Sequence, residues 1–312
     1  MADDLLARVR ATGLLPAGAD VVVLLSGGRD SVCLLDVAVQ LGCAVRALHV
    51  NYGLRDGADG DEEHCRVLCQ RLGVDLAVHR AHRPEDAPGN LQAWARDVRY
   101  AAATREAGDG LVAVAHTATD QAETVLYRLA ASPGRRALLG MAPRTGRLVR
   151  PLLGVTRAQT ADWCRARGLT WRDDPTNESA EFARARVRGR LLPALEAVDP
   201  RAADNVVRTA EVLREEAAVL DVVVDTALAG RDRIAVEHLA ALPPALGRLV
   251  VRRLAESATG ELCPRAAARL GDILAVGDDG ALDVGDGARA MVQAGVVRFV
   301  PTPPLPDRDV LL

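Results

Sequence analysis

The apolar run Val21-Val22-Val23-Leu24-Leu25 passes straight into Ser26-Gly27-Gly28-Arg29-Asp30-Ser31 and then into a helical pattern. A strand, a glycine turn and a helix in that order leave few folds open, because the helix has to pack back on the sheet its strand belongs to. The two glycines let backbone N–H groups approach an anion closely. Ser26 and Ser31 can add hydroxyl donors, and the helix that follows points its positive end at the same spot. The segment is expected to cradle phosphates. Asp30 would repel a bare polyphosphate, which points to a Mg²⁺ ion bridging its carboxylate to the phosphates. A tight turn alone would account for a glycine pair, but not for six suited residues in this order.

The flanking pattern extends that unit into a domain. Val21–Leu25, Ala44–Val50, Asp75–His79 and Leu111–Ala115 read as strands, short and bounded by turn residues. Ser31–Leu41, Asp59–Leu72, Asn90–Ala107 and Thr117–Ala131 read as helices between them. Asn90 is placed to cap a helix start, and Gly42, Gly73 and Gly108 to end helices. The alternation predicts an α/β fold, a Rossmann-like parallel sheet with helices on both faces, whose ligands bind beyond the C-terminal strand ends. Pro200–Leu228 reads as one long helix. Residues 231–312 read as a small α+β domain with two short helices and turns at Asp279-Gly280 and Asp286-Gly287. The expected division is therefore 1–192, a helical linker 193–230, and 231–312.

Absences narrow the chemistry. The chain has no lysine, so Schiff-base catalysis and nucleotide loops that depend on a lysine are excluded. Its basic charge is all arginine, and 14 arginines against 5 acidic residues give residues 128–190 an excess of 14 − 5 = +9, although the whole chain carries −3. That uneven distribution suits a phosphate-contacting surface. Cys65 and Cys69 share a helix face, and the six cysteines form no C-x-x-C pair, so reduced core thiols are expected. Glu62-Glu63-His64-Cys65 is expected to be a solvated helix start, and Gly285-Asp286-Gly287 a turn. No stretch approaches the ~20 apolar residues of a membrane span, and the acidic N-terminus is unlike a secretory signal, so a cytoplasmic protein is expected.

The phosphate loop resembles the S-G-G-x-D-S PP-loop of the N-type ATP pyrophosphatases. Further motifs resemble the tRNA(Ile)-lysidine synthetases within that superfamily. His49-Val50-Asn51-Tyr52-Gly53-Leu54-Arg55 is similar to their H-V-x-H-G-L-R, with Tyr52 in place of a histidine. Ala93-Trp94-Ala95-Arg96 to Arg99-Tyr100 is similar to A-x-A-R-x-x-R-Y. His116-Thr117-Ala118-Thr119-Asp120-Gln121-Ala122-Glu123-Thr124 is similar to H-H-x-D-D-Q-A-E-T, with threonine at 117 and 119. Arg150-Pro151-Leu152-Leu153, Asp173 to Asn177, and Arg184-Ala185-Arg186-Val187-Arg188 follow in the family's order. The likeness covers roughly the first 200 residues, and the chain length is expected to leave no room for the third domain of longer members.

The resemblance implies a PP-loop catalytic domain over 1–192, a C-terminal domain that binds tRNA, and ATP-dependent ligation of L-lysine to the wobble cytidine of the isoleucine tRNA with a CAU anticodon. Ser26, Gly27, Gly28, Arg29, Asp30, Ser31, His49 and Asn51 would bind ATP, with Asp30 also holding Mg²⁺. Asp30, Arg96, His116, Asp120 and Glu123 would carry catalysis. The offsets of four and three place His116, Asp120 and Glu123 on one helix face, where the acidic pair would hold the lysine ammonium and His116 would contact phosphate or relay a proton. Arg184, Arg186 and Arg188 would contact tRNA. A homodimer is left open, and no membrane partner is expected. The alternatives are another PP-loop base-modifying enzyme, such as a thiolase, and a nucleotide-dependent tRNA-binding protein that has lost catalysis.

Overall fold

The computed structural model describes residues 2–54, 57–84, 90–132, 134–172 and 183–303, the side chains of Ala2, Asp3 and Arg184 excepted. Arg55, the Asp173–Asn177 motif and the end of the proline-rich tail lie outside the described residues. The chain divides into two compact units, Met1–Leu213 and Arg214–Leu312, with the boundary inside the long helix that the sequence assigns to a linker.

The first unit begins with α1 (Ala2–Ala11), β1 (Asp20–Leu24), α2 (Arg29–Gln40), β2 (Ala44–Asn51), α3 (Ala58–Leu72) and β3 (Asp75–Arg80). It continues with α4 (Leu91–Ala107), β4 (Leu111–Ala113), α5 (Ala118–Ala131), α6 (Arg135–Leu138), β5 (Arg144–Thr145), β6 (Leu148–Val149) and α7 (Arg157–Ala166). Then follow α8 (Ala183–Arg186), a π-helical turn (Val187–Leu191), α9 (Leu192–Val198) and the start of α10 (Ala202–Leu228). The sheet order is β3-β2-β1-β4-β6-β5, parallel except for β5. The parallel α/β prediction holds. The two-residue strands β5 and β6 extend it, too short to leave a periodic signal.

The β1 run is apolar throughout because it is buried on both faces. Val21, Val23 and Leu25 point into one core with Val32, Leu35, Cys65, Leu152 and Trp163. Val22 and Leu24 point into the other with Leu48, Ala102, Ala103 and Val112. Asn90 caps α4 through its side chain, and Gly73 ends α3 in the left-handed conformation, as the sequence predicts. Strand order reverses at β1, which pairs with β2 on one side and β4 on the other. The loops after β1 and β4 therefore leave adjacent strand ends, where such sheets hold ligands.

The first turn of α3 departs from the expected solvated face. Asp61 and Glu62 are buried. Glu62 accepts hydrogen bonds from Arg80, Asn51 and Arg66. The Arg80 hydrogen bond, followed by that of Asn51, holds the Glu62 carboxyl down at about 2. The cysteines conform to expectation, with five of the six buried. Burial pushes the Cys65 thiol up to about 12 and the Cys69 thiol up to about 11.

The second unit contains the end of α10, β7 (Arg233–Ala235), α11 (Val236–Ala241), α12 (Pro244–Thr259), a 3₁₀ turn (Ala266–Arg269) and α13 (Leu270–Leu274). It ends with β8 (Gly280–Gly285), β9 (Ala288–Gln293) and β10 (Val296–Pro301). The antiparallel order is β7-β10-β9-β8 around a core of Val250, Val251, Leu254, Ile273, Val297 and Phe299. At 16 residues α12 is longer than the short helices expected. Asp286-Gly287 forms the expected turn, with positive φ at both residues. Among the described residues, no helix is long and apolar enough to cross a membrane.

Candidate active site

The phosphate loop is built by its own side chains. Gly27 adopts φ +82°, and a Cβ there would stand 3.4 Å from Cys65 Sγ and 3.5 Å from His64 Cδ2. Those are ordinary contacts, so it is the conformation that calls for glycine. The Ser31 hydroxyl donates to the Gly28 carbonyl at 2.8 Å and lies 3.1 Å from Ser26 Oγ, which accepts from the Gly28 amide. The two serines thus shape the turn as well as line it. Gly28 opens α2 with no side-chain cap, so the first-turn N–H groups face the loop.

His49 and Asn51 sit behind this loop, at the end of β2. His49 Nδ1 lies 2.9 Å from the Leu25 carbonyl, and since a carbonyl only accepts, Nδ1 carries the proton. The buried ring braces the carbonyl that precedes Ser26. The Asn51 amide donates to Asp59 at 3.0 Å and Glu62 at 3.1 Å, tying β2 to α3. Tyr52, where the family motif has histidine, donates to the Ala95 carbonyl at 2.8 Å and meets the Trp94 ring edge-on at 5.8 Å. That contact docks α4, which carries Arg96 and Arg99. Arg96 is exposed and stacks its guanidinium 4.7 Å from the Tyr100 ring centre.

Asp30 is held from three sides. Its Oδ1 accepts from Thr160 Oγ1 at 2.5 Å and from Arg29 Nε at 3.2 Å. Arg157 Nε lies 3.6 Å from Oδ2.

The second half of the site leaves β4. His116 is not on the helix, which corrects the expected shared face: Thr117 is the N-cap and α5 begins at Ala118. Asp120 closes a capping box, accepting from the Thr117 amide and hydroxyl at 2.8 Å each. Burial alone would raise the Asp120 carboxyl. The Arg157 charge and the Thr117 hydrogen bonds outweigh it and hold the group below the usual range. His116 has a buried Nδ1 with no hydrogen-bond partner. Burial lowers its imidazole to about 4, with Asp120 opposing and Arg150, Arg99 and Arg96 adding to the effect. It is neutral near pH 7.

Glu123, on the next turn of α5, is 3% exposed and bidentate with Arg188: Nε to Oε1 at 2.6 Å and Nη2 to Oε2 at 3.0 Å. Arg188 lies in the π-helical turn, whose Val187 packs against Ala118, Ala122 and Leu126 of α5. Such turns concentrate at functional sites. The arginine assigned to tRNA from sequence is thus a partner of Glu123. Arg186 is exposed, and the side chain of Arg184 is among those not described.

The sequence reading missed Arg157, Thr160 and the buried Asp36. Arg157 donates to Asp120 Oδ1 at 2.8 Å and lies 3.8 Å from Glu123 Oε1. Asp36 accepts from Trp163 Nε1 at 2.9 Å and from Arg167 at 3.0 and 3.2 Å, fastening α7 to α2. The Thr156-x-x-Gln159 capping box at the start of α7 was a readable signal.

A loop for phosphates and three carboxylates, Asp30 and Asp120 half-buried and Glu123 buried, bridged by guanidinium groups, can hold a nucleotide next to a cationic second substrate. A PP-loop domain model matches residues 7–195. The chain is 43% identical over 244 residues to a tRNA(Ile)-lysidine synthase of Nocardia farcinica, covering 76% of each. It is 38% identical over 270 residues to that of Thermobifida fusca, covering 83% of this chain and 82% of the relative. A relative from Solibacter usitatus, also called tRNA(Ile)-lysidine synthase, is 38% identical, and the match spans 59% of its length. Among solved structures, a U34-tRNA thiolase from Methanococcus maripaludis superposes with a TM-score of 0.57 at 18% identity, covering 68% of this chain and 78% of that one. That likeness concerns the fold.

Proposed function

This chain belongs to the PP-loop family, within its tRNA(Ile)-lysidine synthases, and from that premise we propose that it joins L-lysine to the wobble cytidine of the isoleucine tRNA with a CAU anticodon, consuming ATP and releasing pyrophosphate and AMP. The observation that carries this reading is the phosphate loop and the carboxylates Asp120 and Glu123 meeting in one network through Arg157.

In the first step the cytidine carbonyl oxygen attacks the α-phosphorus of ATP and pyrophosphate leaves. The first-turn amides of α2 would face the phosphates, while the Gly28 amide, which donates to Ser26 Oγ, holds the shape of the loop. Arg96, whose charge is felt at His116, would stabilise charge developing at phosphorus. Asp30 would be the carboxylate for Mg²⁺, but its Oδ1 already accepts from Thr160 and Arg29 and Arg157 stands 3.6 Å from Oδ2, so the ion would have to share or displace a guanidinium there. Bound there, the ion would neutralise phosphate charge.

In the second step the lysine ε-amine displaces AMP from the activated ring carbon, losing a proton. A free amine with a pKa of ~10.4 is neutral in about one molecule in 2,500 at pH 7, which costs roughly 4.6 kcal/mol. Asp120 and Glu123 are the anionic groups for its ammonium. Arg157 and Arg188 already stand on them, so the incoming cation has to share or displace a guanidinium. Neutral His116, with an unpartnered Nδ1, brings no charge to balance phosphate, and held at about 4 it is a weak base that would relay a proton only once its basicity rises. Bound anions would raise its basicity. Arg186, which is exposed, would contact a tRNA phosphate, whereas Arg188 is engaged by Glu123.

Pyrophosphate release tests this reading. It should require both ATP and the CAU tRNA and should proceed without any sulfur donor. Release that needs a sulfur donor would favour the thiolase alternative, and no release with all substrates present would favour a binding protein.

A further inference from the structure

The helix α7 enters none of the motifs from which the site was read, yet it supplies two of the three side chains that hold Asp30. Thr160, fully buried, donates to Asp30 Oδ1 at 2.5 Å. Arg157 sets Nε 3.6 Å from Asp30 Oδ2, Nη2 2.8 Å from Asp120 Oδ1 and Nη1 3.8 Å from Glu123 Oε1. A single planar guanidinium thus faces three carboxylates, one behind the phosphate loop and two on α5.

Without a cation between them, three like charges at this separation repel, and the less confined side chains rotate away. A guanidinium can hold them because its donors form a rigid fork, which a single ammonium cannot reproduce. The fork is itself fixed. Thr156 caps α7 in a reciprocal box with Gln159. One and two turns beyond Thr160, Trp163 and Arg167 grip Asp36 on α2, the same helix that carries Asp30. The chain thereby fixes the distance between Asp30 and the base of α7 twice.

We infer that Arg157 is a positioning residue of this reaction. It locks Asp30 on the nucleotide side and Asp120 on the amine side into one geometry, while Thr160 fixes the orientation of the Asp30 carboxylate. The inference rests on the lysine-ligase reading above. Arg157 acts through these carboxylates, so its loss should appear in the rate of the bound complex rather than in tRNA affinity.

Lysine transfer to the CAU tRNA is measured with saturating ATP for the wild type, Arg157→Ala, Arg157→Lys and Thr160→Val, alongside thermal midpoints. Arg157→Ala is expected to lower kcat about 100-fold, the scale of a misplacement near 1 Å, while KM for tRNA stays within about twofold. Arg157→Lys, which restores the charge without the fork, should recover about tenfold of that loss. Thr160→Val should lose about tenfold with little change in thermal midpoint, since it removes one hydrogen bond to a charged group. Wild-type kcat in Arg157→Ala, or an Arg157→Lys no faster than the alanine variant, overturns the inference. If Arg157→Ala does not fold, wild-type rates in both Arg157→Lys and Thr160→Val overturn it. A wild type that transfers no lysine overturns both readings together. An active wild type with indifferent Arg157 and Thr160 variants overturns only this one.

Discussion

His116 is governed by burial more than by its charged neighbours, and this gives it a readable signature. Unfolded, its imidazole takes up a proton near pH ~6.5; folded, it stays neutral down to about 4. Between those values the unfolded chain binds more protons, so stability falls as pH drops from the higher value toward the lower. His116→Gln should flatten this fall, which thermal midpoints at about pH 7 and pH 5 would show. An equal drop in variant and wild type would contradict the buried, neutral state. The carboxylates held low, Asp120 and Glu62, contribute only at more acid pH, and His64, also lowered by burial, leaves a residual slope. Glu123 is tested by charge alone. Glu123→Gln keeps the side chain's shape and should raise the KM for lysine about 10- to 100-fold, the worth of a hydrogen bond to a charged group. Unchanged lysine KM would remove Glu123 from ammonium binding and leave it only as the partner of Arg188.

Two elements set the site, and they differ in how far the sequence reveals them. The β1–loop–α2 unit is local. Its apolar run, glycine turn and helix are contiguous, so the fold and the position of Asp30 after the turn are legible in the sequence. Gly27→Ala should weaken ATP binding and destabilise the chain by about 1–2 kcal/mol, because φ +82° strains an L-residue. A variant with wild-type stability and ATP affinity would count against that geometry. The α7 clamp is non-local: Thr160 and Asp30 are 130 residues apart, and Trp163 and Asp36 are 127 apart. No spacing rule reaches that far, so Arg157 and Thr160 stayed hidden even though the capping box beginning at Thr156 was visible. Trp163→Phe removes one buried N–H donor to Asp36 and should cost about 1–2 kcal/mol in urea unfolding, with lysine transfer slowed alongside. Loss of stability without loss of rate would separate the clamp from the reaction. His116 was misplaced for a related reason. Offsets of four and three fit a helix, but Thr117 is the better cap and starts α5 one residue after the histidine.

For the whole molecule, the balance of charge matters more than its sum. A chain of net charge −3 concentrates arginine between residues 128 and 190, Arg157 and Arg188 of the site among them, while the second unit builds its own antiparallel core. If the exposed Arg186 meets a tRNA phosphate, Arg186→Ala should lower the slope of log affinity against log salt by about 0.7 to 0.9. An unaltered slope would rule out that contact. Arg188 was read from sequence as part of the same basic face, and its pairing with Glu123 became visible only once the π-helical turn was packed on α5. The proposed activity requires lysine to become covalently attached to RNA. Labelled L-lysine, ATP and the isoleucine tRNA with a CAU anticodon should yield label in the tRNA, with one pyrophosphate and one AMP released per lysine joined. ATP consumed in the presence of that tRNA with no label in the RNA would contradict it.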